Sequence, residues 1–173
     1  MRCHENQLTS LNTAENAALK NIFCYENQLA SLDLSQNSAL ENLGCRNNLL
    51  KALDLTKNTA LTVIACQSNP LLTSLDISNG NNTIITNFIA LFCENLTCIK
   101  VDDKAYSTAN WTKIGSQSYF SKDCSLGIQD NANNFSTLSV YPNPTHGTFA
   151  IDLGKIKTEL YVTVSNNMGQ VLF

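Results

Sequence analysis

Apolar residues in the first hundred positions keep neither a helical nor a plain strand rhythm. They follow a phrase, apolar-x-x-apolar-x-apolar-x-x-Asn, that runs twice in each 21 residues: Leu40, Leu43, Cys45 and Asn48, then Leu50, Leu53, Leu55 and Asn58. A helix would repeat its apolar face at three and four residues through several turns. Here the alternation is brief and stops at Asn. That predicts a short strand with Leu53 and Leu55 on one face and Asp54 on the other, followed by a turn. The step recurs in Asn6, Asn27, Asn48 and Asn69, in Asn16, Asn37 and Asn58, and in Cys3, Cys24, Cys45 and Cys66. One such strand cannot bury its apolar face alone, whereas a stack of coils can. Because the phrase is doubled, short strands are expected on two opposite faces.

The stretch LENLGCRNNLL resembles the leucine-rich repeat signature. The whole unit is similar to the short, doubled repeats common in secreted proteins of Bacteroidetes bacteria, and the resemblance covers about residues 1–101. It implies a right-handed solenoid with a parallel sheet along one face. The expected fold is a β-rich leucine-rich repeat solenoid of 21-residue repeats with a C-terminal cap, followed by an incomplete β-sandwich fragment.

The cysteine column has a plain reading. Cys3, Cys24, Cys45 and Cys66 hold the slot that Leu34, Leu55 and Ile77 hold in the other half. That slot points inward, and a free Cys behaves there as a small buried hydrophobe. A metal site would need thiols converging at short spacings such as C-x-x-C. A stack instead sets them in a row, about 4.8 Å apart. The Asn columns are expected to satisfy backbone groups left without strand partners at each turn.

After Asp76 the unit degrades. SNGNNTIITNF adds residues, then Ile85, Phe88 and Ala90, followed by Leu96, Ile99 and Val101, restore the apolar slots, with Cys93 standing where Asn stood before. Residues 102–124 hold the only Trp, Trp111, and are expected to cover the exposed end of the stack. Asp102 and Asp103 are candidates to start that segment. Cys98 and Cys124 flank it, outside the ladder, and in a secreted protein such a pair can close a loop worth about 3 kcal/mol. Similar Bacteroidetes proteins carry the same L-T-C-I-x-V-D-D…W…D-C arrangement, which implies that Cys98 and Cys124 pair. Cys93 is then the leftover thiol, and its own pairing with Cys98 or Cys124 stays open at this stage.

Residues 125–139 are polar and read as a linker. Residues 140–173 resemble the start of the C-terminal sorting domain of type IX secretion substrates, through Val140-Tyr141-Pro142-Asn143-Pro144, Gly147, Phe149 and Asn167-Met168-Gly169-Gln170. The family domain is a small β-sandwich that directs export across the outer membrane. Its usual length is about twice that present here, so a truncated domain is expected. At the other end, MRCHENQL has no apolar signal-peptide core and enters mid-pattern, so the natural start is expected upstream of Met1.

A net charge of −3, from 11 Lys and Arg against 14 Asp and Glu, gives no electrostatic case for nucleic acid. No apolar run approaches the ~20 residues of a membrane helix. The two histidines, His4 and His146, stand far apart, and no nucleophile elbow, H-E-x-x-H or phosphate-binding loop occurs. No cofactor, metal or catalytic group is expected. Asp33, Asp54 and Asp76 form an acidic column, but isolated carboxylates fall short of the six to eight oxygens that calcium prefers.

One contrast favours binding. Outward positions of the second half repeat Ser or Ala, Asp, and Ser or Thr. Those of the first half vary: Phe23, Tyr25 and Glu26, then Arg46 and Asn47, then Gln67 and Ser68. Mixed aromatic, charged and amide groups side by side suit a recognition surface. The expected function is a non-catalytic protein- or glycan-binding module of a secreted or cell-surface bacterial protein, served by the type IX secretion machinery. Two other readings stand: an accessory region of a larger secreted enzyme whose catalytic domain lies upstream, and a spacer with no ligand.

Overall fold

A computed structural model describes residues 1–124 and, of the remainder, only the strands Ser139–Tyr141 and Ala150–Asp152. The chain divides into two units, Met1–Gln129 and Asp130–Phe173. In chain order the first unit contains β1 (Asn21–Phe23), β2 (Asn42–Gly44), β3 (Ala52–Asp54), β4 (Val63–Ala65), β5 (Ser74–Asp76), β6 (Asn87–Ala90), β7 (Cys98–Lys100), helix α1 (Lys104–Asn110), β8 (Lys113–Ile114) and β9 (Tyr119–Ser121).

Successive coils lay these strands into two sheets. One has the order β1-β2-β4-β6-β8 and the other β3-β5-β7-β9, and every neighbouring pair is parallel. The register aligns the inward residue of each strand with its equivalent one coil away. Ile22 pairs with Leu43, Leu43 with Ile64 and Ile64 with Phe88; on the other face Leu53 pairs with Leu75, Leu75 with Ile99 and Ile99 with Phe120. The architecture is therefore a leucine-rich-repeat β-solenoid with its apolar spine running through the coils. That spine is aliphatic and almost fully sealed, from Ile22 and Leu29 to Val101.

The columns explain why three-residue strands suffice. Cys24, Cys45 and Cys66 are fully buried in one column, Cys3 at the end is half-buried, and Ala90 and Ile114 continue the register in β6 and β8. Asn48 shows how each turn is fastened. Its Nδ2 donates to the carbonyls of Cys24, Cys45 and Arg46 at 3.0, 3.1 and 3.2 Å, and its Oδ1 accepts from Leu29 N–H at 3.0 Å. Asn27 and Asn69 repeat the pattern. A second ladder runs along the other corner, where Asn58 Nδ2 donates to Leu34 O and Asn37 O at 2.9 and 2.8 Å. Cys93 does take the next Asn station, its Sγ lying 3.5 Å from Cys66 O.

The segment expected to cap the stack does so and also extends it. Asp103 caps α1 by accepting from Tyr106 N–H at 3.0 Å. Trp111 then enters the core, stacks against Phe88 at 4.8 Å and Phe120 at 5.7 Å, and donates its indole N–H to Ile85 O at 3.2 Å. Strands β8 and β9 add one member to each sheet, so the sheets run past residue 101. Cys98 and Cys124 form a disulfide that ties β7 to the chain just beyond β9.

In the second unit, β10 (Ser139–Tyr141) pairs antiparallel with β11 (Ala150–Asp152). Of the sorting-motif positions, Tyr141 falls in β10, while Pro142, Asn143, Pro144, Gly147 and Gly169 lie outside the described residues, as does the expected linker apart from Ser139.

Candidate functional site

The variable positions lie on the outer face of the first sheet and the turn that follows it. The register puts Arg2, Phe23, Gly44, Ala65 and Ile89 in one outward column. The 21-residue step puts His4, Tyr25, Arg46 and Gln67 in the next. Beyond it runs a column of left-handed backbone: Glu5, Glu26, Asn47, Ser68 and Phe92 all have φ between 53 and 57°. Each of these residues except Phe92 still donates its N–H to the following coil, as Glu26 does to Arg46 O at 3.0 Å. A non-glycine residue in this conformation costs about 1–2 kcal/mol, and the ladder Asn that follows holds the turn in place.

Tyr25 is the hub. His4 stacks on its ring at 4.3 Å and 9°, and the Arg46 guanidinium lies 4.3 Å from the ring centroid. Arg46 Nη1 pairs with Glu26 Oε1 at 3.1 Å. One rung along, Arg2 lies over Phe23 at 5.8 Å, and Phe23 leans across Gly44, where a Cβ would come within 3.0 Å of its Cδ1. Each of these half-exposed contacts is worth only about 0.5–1 kcal/mol. Their main effect is to fix rotamers. Gln67 continues the Tyr25 column, and its buried Oε1 has no hydrogen-bond partner.

Phe23, Tyr25, Glu26 and Arg46 therefore meet as one cluster, while Asn47, Gln67 and Ser68 prolong its columns. Sequence reasoning missed His4, Arg2, Gly44 and Phe92. His4 and Arg2 are found by carrying the 21-residue step back one coil. Phe92 is 71% exposed and reaches Ser68's column only after three inserted residues.

The acidic column on the other face is turn chemistry. Asp33, Asp54 and Asp76 each accept the N–H two residues on, from Ser35, Thr56 and Ser78, at 2.9 Å. The Ser35 backbone N–H holds the exposed Asp33 carboxyl below its ordinary value. Burial would raise Asp76, but Ser78 and Lys100 outweigh it and the net shift is down. Among the described residues no group of three or more His, Cys, Asp or Glu is placed to hold a metal ion, and no helix is long and apolar enough to cross a membrane.

No family model matches the chain, and no curated protein matches it. Among solved structures, the functional domain of InlJ from Listeria monocytogenes, which includes a cysteine ladder, aligns at 23% sequence identity with a TM-score of 0.44, covering 70% of this chain and 34% of that one. The chain thus spans about a third of that solved chain's length.

Proposed function

We propose that this solenoid is a protein-recognition module of a secreted or cell-surface bacterial protein, serving adhesion, with residues 140–173 belonging to a type IX export signal. The observation that carries the binding reading is the cluster around Tyr25. Side chains already held by one another lose little rotamer freedom on association, which favours affinity. Tyr and Arg are the residue types that anchor interfaces. The same geometry favours a protein over a glycan. A sugar ring needs an open aromatic face, and both faces of Tyr25 are covered, by His4 and by Arg46. What the cluster offers outward is a phenol edge, guanidinium N–H groups and the Glu26 carboxylate, a set suited to polar protein side chains. The export reading rests on the resemblance of residues 140–173.

The test replaces Phe23, Tyr25 and Arg46 together with Ala and measures binding to immobilised extracellular-matrix proteins and to a polysaccharide panel. These side chains are partly exposed, so the solenoid is expected to keep its melting temperature within a few degrees, a ΔΔG of about 1 kcal/mol. Saturable binding to a protein that the triple variant loses supports the reading. Binding that survives the triple change, or binding to polysaccharide alone, overturns it.

A further inference from the structure

Asn79 continues the second Asn ladder, its Nδ2 donating to Asn58 O at 3.1 Å, and among the ladder residues it alone is followed by glycine. That dipeptide has a chemistry of its own. The unhindered backbone nitrogen of the glycine can attack the Asn side-chain carbonyl carbon. A C–N bond forms to give a cyclic imide, the amide nitrogen leaves as ammonia, and the backbone N–H proton passes to solvent. Water then opens the imide to Asp or to isoaspartate.

We propose that Asn79–Gly80 is a deamidation site that Asp102 holds closed. Attack requires the Gly80 nitrogen to give up its proton and turn toward Asn79 Cγ. In the folded chain that N–H donates to Asp102 Oδ2 at 2.7 Å. The electrophile is held as well, because Asn79 Oδ1 accepts from Asn81 N–H at 3.0 Å while Nδ2 is bonded to Asn58. The loop around them is pinned by Asn81 to Thr59 O and by Asn82, which donates to Ile77 O and accepts from Asp102 and Asp103 N–H. Of these bonds, the one to Asp102 is the only contact on the attacking nitrogen. It lies at an exposed position, on the next coil, directly after β7. Gly80 itself, at φ +82°, has nothing within 4 Å of where a Cβ would sit, so the water needed for hydrolysis has room.

Once the loop opens, the product cannot return to its place. A carboxylate at position 79 sets an acceptor against the Asn58 carbonyl, where a donor stood, and isoaspartate adds a backbone methylene. Either breaks the ladder beneath the last coils, so loss of this amide is a one-way record of how often Asp102 has let go.

The purified full chain is incubated at mildly alkaline pH and position 79 followed by peptide mass spectrometry and isoaspartate assay. Wild type is expected to deamidate far more slowly folded than in urea. Asp102→Ala is expected to raise the folded-state rate about tenfold, the equivalent of one hydrogen bond to a charged group. Asp102→Asn, which keeps an acceptor, should raise it less. Equal rates for wild type and Asp102→Ala overturn the proposal, and a slower variant would make Asp102 a base rather than a lock. Hydrogen exchange at the Gly80 amide of unaltered protein decides the matter should Asp102→Ala fail to fold: protection supports the lock, exchange at the free-chain rate refutes it.

Discussion

Asn37 and Asn58 hold equivalent stations, yet they differ in how their oxygens are met. Asn37 Oδ1 accepts from the Thr13 hydroxyl at 2.7 Å. One coil on, Leu34 stands where Thr13 stood, and Asn58 Oδ1 is buried without a partner. An unmet buried acceptor costs about 1–3 kcal/mol. Leu34→Thr is therefore expected to be more stable than Leu34→Val by about 1 kcal/mol, the reverse of the usual order for a sealed core site, as read from urea midpoints. The amide columns were legible in the sequence, because spacing alone reveals them. Which amide is left short was not, since it depends on a residue 24 positions earlier whose hydroxyl carries no periodic signal. The same reasoning divides the candidate site. Phe23, Tyr25 and Arg46 could be singled out by comparing coils; that His4 and Arg46 clamp Tyr25 between them required coordinates.

The strands of the middle coils were legible because each repeats a phrase. β8 and β9 were not, because Lys113–Ile114 and Tyr119–Ser121 are too short to show alternation and follow a helix. Their placement is set by Trp111 filling the station of Ile85 and by the Cys98–Cys124 bond. Last in its sheet, β9 has a ladder partner on one side only, β7. Reducing the disulfide is expected to lower stability by about 3 kcal/mol in the chain-entropy account. Hydrogen exchange should rise first in β9 and last in β2 and β4, and uniform loosening of all coils would contradict this order. The three-residue widening between Ile64 and Phe88 was visible as a break in rhythm, but its folding into a turn at Asn82–Ile84, clamped by Asp102, was not.

Across the whole molecule the thiol column ties stability to pH. Burial, and secondarily the neighbouring Cys3, push Cys24 up from 9.0 to about 12, and burial raises Cys45 and Cys66 as well. Below pH 9 both folded and unfolded chains keep these protons, so the stabilising contribution is complete. Between about 9 and about 12 the unfolded chain releases protons that the folded chain retains, and stability falls as pH rises. Urea midpoints are expected to drop on the alkaline side, and Cys45→Ala to flatten that limb; an unchanged slope would mean that the column does not titrate as a buried row. Cys3, half-buried, should be the first of the free thiols to be alkylated in the native state. Because the interior is built of like stations meeting like, a coil recognises its neighbour and not its own place in the chain. A copied segment from Cys24 to Gly44, spliced in before Cys45, would find the same thiol, amides and aliphatic contacts above and below it. The rod can thus grow by tandem duplication alone, each new copy bringing a fresh patch of outer surface on which sequence is free to drift.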